Sequence, residues 1–168
     1  MQAHNLTVTA FSLGAALALG TPAISADLPK EGTIKLHSNS YINAQSTDVG
    51  EKHLMTSASA WGVTYNDAGS GPLHMGAWFC DWTFHNVVHP IPVGGACAFG
   101  DAGGVDKIYI TWTGTINESI TGAEGIGTII GGLGRYKGIQ GKMTWQCHMI
   151  DPAHGLNGCT QQFDYTLK

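Results

Sequence analysis

Charged residues are scarce in this sequence, and the positive ones do not cluster. Lys and Arg together number 8 and Asp and Glu number 12 among 168 residues, so the formal net charge is −4. A nucleic-acid-binding surface needs a concentrated patch of positive charge to neutralise phosphates. Because the chain has no basic block, we expect no nucleic-acid partner.

The chain also lacks the sequence signatures of the common catalytic and cofactor-binding sites. It has no G-x-S-x-G nucleophile elbow, no phosphate-binding P-loop, no dinucleotide fingerprint and no H-E-x-x-H zinc motif. None of its four cysteines lies in a C-x-x-C pair, which argues against zinc and against thioredoxin-like redox chemistry. We therefore predict no metal and no cofactor, and the sequence leaves open whether the protein is an enzyme.

Long apolar runs are absent except near the N-terminus, where Val8–Gly20 is followed by Pro22 and by small residues up to Ala26. This order is typical of a secretory signal peptide cleaved after Ala26, although no Lys or Arg precedes the run. The run is too short to span a bilayer core of about 30 Å. We expect a signal peptide over residues 1–26, one domain over residues 27–168, a periplasmic or secreted location, and no membrane contact after cleavage. An N-terminal core helix or a membrane anchor is the alternative.

The four cysteines, Cys80, Cys97, Cys147 and Cys159, agree with export, since exported chains with an even count usually oxidise. Three pairings are open. We favour Cys80–Cys97 and Cys147–Cys159, because each pair flanks a turn-rich segment and would join neighbouring strands. Each bridge should stabilise the fold by about 3 kcal/mol in the chain-entropy model.

Glycine is abundant, with 24 residues, and it is concentrated in the stretch Thr121–Trp145. A helix would lose about 1 kcal/mol for each interior glycine relative to alanine. Strands use glycine where backbones approach closely, bend or form bulges. The stretch therefore predicts two strands of a tightly curved sheet, joined by a turn near Gly131–Gly134.

Alternation with a period of two predicts most of the other strands. A polar segment, Asn39–Gly50, is rich in Ser, Asn, Asp and Thr and predicts a loop. About eight strands without a convincing helix predict an all-β fold, a closed antiparallel eight-stranded β-barrel, with a sandwich as the alternative. Such a barrel has room for packed side chains or one small ligand. The predicted strands are Thr33–Ser38, His53–Tyr65, Leu73–His85, Gly95–Phe99, Asp106–Thr113, Lys142–Met149 and Cys159–Leu167.

The segments WTGTI, TGAEGIG and GGLGRYKGIQGKMTW, within Trp112–Cys147, resemble the allene oxide cyclase/dirigent-like (calycin-type) β-barrel superfamily. The upstream segment CAFGDAGGVDKIYITWTG looks like that of exported bacterial members. The resemblance implies a closed barrel and, because members are often oligomeric, allows for a homo-oligomer. No residues match the active site of the plant enzymes, so their activity is not implied. The glycine pattern of the superfamily falls on Gly131, Gly132, Gly134, Tyr136, Gly138, Ile139 and Gly141.

Three polar residues are candidates for a catalytic role. Asp81 lies between Cys80 and Trp82 in an apolar strand, and a carboxylate directed into a lumen would have a raised pKa and could act as general acid or base. The alternative is that Asp81 faces solvent or pairs with a nearby Lys. His53 and His74 are the other two candidates.

Aromatic side chains are expected chiefly in the core, and a subset of them is a candidate for an apolar ligand site. They are Trp61, Trp78, Trp82, Tyr109, Trp112 and Trp145. Two hypotheses follow. In the first, an exported barrel binds a small hydrophobic molecule in its lumen, which requires an internal cavity. In the second, the protein is an isomerase or cyclase that steers a reactive intermediate by shape, which depends on positioning more than on a nucleophile.

Overall fold

A computed structural model describes residues 28–168, so the predicted signal peptide lies outside the described residues. Each strand pairs antiparallel with the next, and β8 pairs back with β1. The predicted closed antiparallel eight-stranded barrel is confirmed. No helix in this part of the chain is long and apolar enough to cross a membrane. The strands are β1 (Glu31–Asp48), β2 (Leu54–Asn66), β3 (Gly76–His85), β4 (Ile91–Gly100), β5 (Lys107–Ile116), β6 (Gly122–Leu133), β7 (Ile139–Asp151) and β8 (Leu156–Leu167).

The prediction of a loop over Asn39–Gly50 is wrong, because β1 continues to Asp48 and pairs with β2 along this length. A polar composition is tolerated here because the outer face of the strand meets solvent. Polar residues on the inner face have partners: Ser40 Oγ donates to Asn157 Oδ1 at 2.8 Å, and Ser46 Oγ lies 2.8 Å from Thr56 Oγ1. The polar composition of this segment therefore gave a wrong prediction, because its inward polar side chains form hydrogen bonds with other strands of the barrel.

The barrel has two different ends. We call the end that carries the β2–β3, β4–β5 and β6–β7 turns the closed end, and the opposite end the open end. At the closed end, inward side chains from several strands pack into one core, in which the Phe99 ring stacks on Trp78 at 5.7 Å and meets the edge of Phe163 at 5.1 Å. Burying a side chain of this size stabilises the fold by about 1.5–3 kcal/mol.

The glycine-rich hairpin of β6 and β7 seals the closed end. Its turn, Gly134–Tyr136, is a single 3-10 turn. Gly134 has a φ of 61°, and a Cβ there would collide with the carboxylate of Asp106. Tyr136 is completely buried. The predicted curved hairpin is therefore confirmed, and the glycine at 134 is required both by backbone conformation and by space.

Asp101 connects three turns of the closed end. Its Oδ1 accepts the Tyr136 hydroxyl at 2.8 Å and the Leu73 amide at 2.6 Å, and its carboxylate pairs with the Arg135 guanidinium. Burial, and then the charge of Asp101, raise the pKa of Tyr136 far above its ordinary value. The tyrosine is therefore a neutral hydrogen-bond donor in the folded protein.

Candidate functional site

The open half of the barrel encloses a cavity of about 740 Å³. This volume lies within the usual range of about 300–1,000 Å³ for sites that bind small molecules. Inward-facing residues of the strands form its wall, and the β5–β6 and β7–β8 turns, including Ser119–Gly122 and Pro152–Gly155, surround its mouth.

The cavity exists because small side chains face large ones across the lumen. Ala58 and Ala60 of β2, with Ala44 of β1, line one side. Indoles from β3, β5 and β7 line other parts of the wall, together with aliphatic side chains such as Val93, Ile116 and Met143. The lumen is therefore apolar and partly unfilled, unlike the packed closed end.

Three indoles form a continuous aromatic cluster in the wall. Trp112 meets Trp82 at 6.0 Å between ring centroids and Trp145 at 5.1 Å, both edge to face. The indole of Trp145 lies over two inward glycines, since a Cβ at Gly125 would come within 2.7 Å of its ring and Gly114 is similarly covered. The glycines of the WTG and AEG segments therefore make room for an aromatic surface as well as for curvature.

Four polar atoms in this apolar wall have no hydrogen-bond partner among the described residues. They are the indole nitrogens of Trp78, Trp112 and Trp145, and Oε1 of Gln161. Gln161 is 5% exposed, and its Nε2 donates to Ser38 Oγ at 2.9 Å. Leaving a buried polar atom unpaired costs about 1–3 kcal/mol. Such atoms are therefore natural contact points for a bound molecule.

Formally charged side chains do not line the cavity within the part of the chain that the structure describes. The lining residues that can titrate are His148 and His154, and both are exposed. The ring of His154 also pairs with Asp151, with Nδ1 and Oδ2 2.8 Å apart. The inner part of the site is therefore electrically neutral.

The predicted disulfides are both present, and both lie in the wall of the cavity. Cys80 pairs with Cys97 across β3–β4 and Cys147 with Cys159 across β7–β8, with Cα–Cα distances of 4.1 and 4.0 Å. Disulfides of this kind persist in oxidising compartments such as the periplasm or the extracellular space. The two bridges are compatible with that location.

Four of the six predicted aromatic residues line the cavity: Trp78, Trp82, Trp112 and Trp145. The other two need correction. Trp61 is 57% exposed on the outer face, where it packs against Tyr41, and Tyr109 lies on the outer face between the inward Ile108 and Ile110. The reason is alternation, because neighbouring positions of a strand point to opposite faces.

The three candidate catalytic residues do not face the cavity. Asp81 is exposed on the outer side of β3, between the inward Cys80 and Trp82. His53 lies in the β1–β2 turn, and His74 lies in the β2–β3 turn at the closed end, where its ring meets Tyr65 at 6.3 Å. The structure therefore does not bring these side chains together, and a lumen-directed Asp81 is incompatible with its position.

Sequence reasoning missed Gln161, the most buried polar side chain of the cavity wall. A signal was present, since Gln161 shares the inner face of β8 with Cys159, Phe163 and Tyr165. A polar residue on an otherwise apolar face is unusual because its burial requires a partner.

The fold and the cavity together define a small closed β-barrel with an internal aromatic-lined site. No protein-family model matches this chain, and no curated protein matches it either.

Proposed function

We propose that this protein is exported and binds a small hydrophobic molecule in the lumen of its barrel. The observation that carries the proposal is the cavity of about 740 Å³ lined mainly by apolar and aromatic side chains. Water molecules find few hydrogen-bond partners in such a wall. An apolar ligand is stabilised there because its surface is removed from water. A ligand that buries about 300 Å² of apolar surface gains about 7.5 kcal/mol before the costs of association.

Intrinsic tryptophan fluorescence can test binding directly, because four of the five tryptophans line the cavity. The substitution Trp61→Phe removes the remaining one, which is on the outer face. We expect N-phenyl-1-naphthylamine, a neutral apolar probe, to bind saturably to this variant with energy transfer from the indoles.

A matched pair of variants locates the bound probe. Ala58→Phe places a ring inside the cavity, whereas Ser57→Phe places the same ring on the outer face of β2. We expect Ala58→Phe to weaken probe binding at least about tenfold and Ser57→Phe to leave it unchanged. Equal affinities in the two variants, with both folded by circular dichroism, would contradict a site in the lumen.

A second candidate function is an isomerase or cyclase of the allene oxide cyclase/dirigent-like type. It is supported by the resemblance of the β6–β7 hairpin and by the unpaired indole and amide groups, which can hold a reactive molecule in one shape. Asp81, His53 and His74 do not face the cavity, so steering would rest on the wall itself. If this candidate is right, adding the protein should change the product distribution of a spontaneous cyclisation. The substitution Ala58→Phe should abolish that change.

A further inference from the structure

The amide oxygen of Gln161, which has no hydrogen-bond partner among the described residues, lies at the inner end of the cavity. Gln161 pairs across β8–β1 with Leu36, and the next inward residue of β8 is Phe163, both of which belong to the closed-end core. The mouth lies at the other end, around Pro152–Gly155. A ligand that enters through the mouth therefore reaches Gln161 last.

The hydrogen bonding of Gln161 leaves one atom of its amide without a partner. Its Nε2 donates to Ser38 Oγ of β1 at 2.9 Å, so Oε1 is the atom without a partner among the described residues. Trp145, the direct partner of Gln161 across β7–β8, extends its indole the other way, over Gly125 and Gly114 of β6 and β5. Gln161 Oε1 therefore needs a donor from another source.

The chemistry of this oxygen selects the polar group of the ligand. A hydroxyl can donate to Gln161 Oε1. An ether or ketone only accepts. A carboxylate would be an anion without a cation, since the cavity lining in the described residues contains no Lys or Arg, and burying an unpaired ion is costly.

We infer that the cavity binds a neutral apolar alcohol, with the hydroxyl at the inner end on Gln161 Oε1 and the apolar body against the tryptophan cluster. This inference rests on the proposed function and adds the chemical class of the ligand and its orientation.

Three probes with the same ten-carbon chain test the inference by displacement of N-phenyl-1-naphthylamine from Trp61→Phe protein. They are 1-decanol, decyl methyl ether and decanoate, each used below its micelle-forming concentration. We expect 1-decanol to bind about tenfold more tightly than the ether, because one further buried hydrogen bond forms. Decanoate should bind most weakly.

Consecutive glutamines of β8 supply the matched variants. Gln161 faces the cavity, whereas Gln162 faces outward and donates to Asp164 at 3.2 Å. We expect Gln161→Leu to reduce the preference for decanol over the ether to less than about threefold. Gln162→Leu should leave the preference intact.

The outcomes separate the two claims. If neither the naphthylamine nor any decyl compound binds, the proposed function fails and this inference falls with it. If the naphthylamine binds but decanol shows no advantage over the ether, or decanoate binds most tightly, the inference is overturned and the proposed function stands. The comparison of decanol, ether and decanoate on protein with an intact Gln161 tests the inference even if Gln161→Leu does not fold.

Discussion

The two ends of this barrel share the same eight strands and yet differ in how they are filled. At the closed end, Tyr136, Phe99 and Phe163 belong to one core and are almost completely buried. At the open end, indoles face alanines and leave a cavity. Strand pairing is continuous through both halves, so pairing closes the barrel while the sizes of inward side chains decide whether its interior is solid.

The largest expected effect is at the closed end. Tyr136→Ala should lower the free energy of unfolding by about 3–5 kcal/mol, because it leaves a large hole in a dense core. Tyr136→Phe, as a control, keeps the ring and loses the hydrogen bond to Asp101, which should cost about 1.5–3 kcal/mol. Urea denaturation measures both. A loss under about 1 kcal/mol for the alanine variant would show that the closed end is not the stabilising core.

The disulfides are expected to have the next largest effect, because they brace the half of the barrel whose interior is not filled. Removing the bridge between Cys147 and Cys159 by substituting both with Ala should lower the free energy of unfolding by about 3 kcal/mol. Denaturation of this variant with and without N-phenyl-1-naphthylamine checks the effect. If the probe binds as proposed, it should restore part of the lost stability, since a molecule that binds only the folded state stabilises it.

A smaller loss is expected from truncating an indole of the cavity wall. Trp112→Ala should lower the free energy of unfolding by about 2 kcal/mol, less than Tyr136→Ala, because one side of the indole already borders empty space. The enlarged cavity should accept bulkier probes. Thermal or urea unfolding of the two variants in parallel tests the contrast, and equal losses would mean that the halves are packed alike.

The smallest effect concerns alkaline pH. The pKa of Tyr136 is higher in the folded protein than in the unfolded chain, so folding favours the protonated form. Its contribution to stability is complete below the unfolded pKa of about 10 and is lost as the pH rises above that value. The free energy of unfolding, followed from neutral to strongly alkaline pH, should fall less steeply in Tyr136→Phe. Identical pH dependence of the unfolding free energy in the two proteins would show that Tyr136 does not contribute to the loss of stability at alkaline pH.

Much of the fold could be predicted from local patterns. Alternation indicated the strands, glycine spacing indicated the β6–β7 hairpin, and the turns between cysteines indicated both bridges. The long β1 strand could not be predicted, because its polar residues resemble a loop until partners such as Asn157, far away in sequence, are supplied.

The candidate site was less predictable because both faces of several strands carry aromatic residues. In β2 the face with Trp61 looks more apolar than the face with Ala58 and Ala60, yet the alanines point inward. Small residues there leave the lumen open, and nothing local to β2 shows this. Gln161 was missed for a related reason, since its buried position depends on a hydrogen bond to Ser38 from another strand.

By itself, the amino-acid sequence determined the all-β architecture, the curved glycine hairpin and the cysteine pairs, because each depends on dihedral preferences and spacing within short segments. Only the tertiary structure decided which strand faces enclose the lumen, where the lumen is left unfilled and which polar atoms remain unpaired in its wall. These properties arise from the volumes and hydrogen bonds of side chains that meet across the barrel, and no single segment contains them.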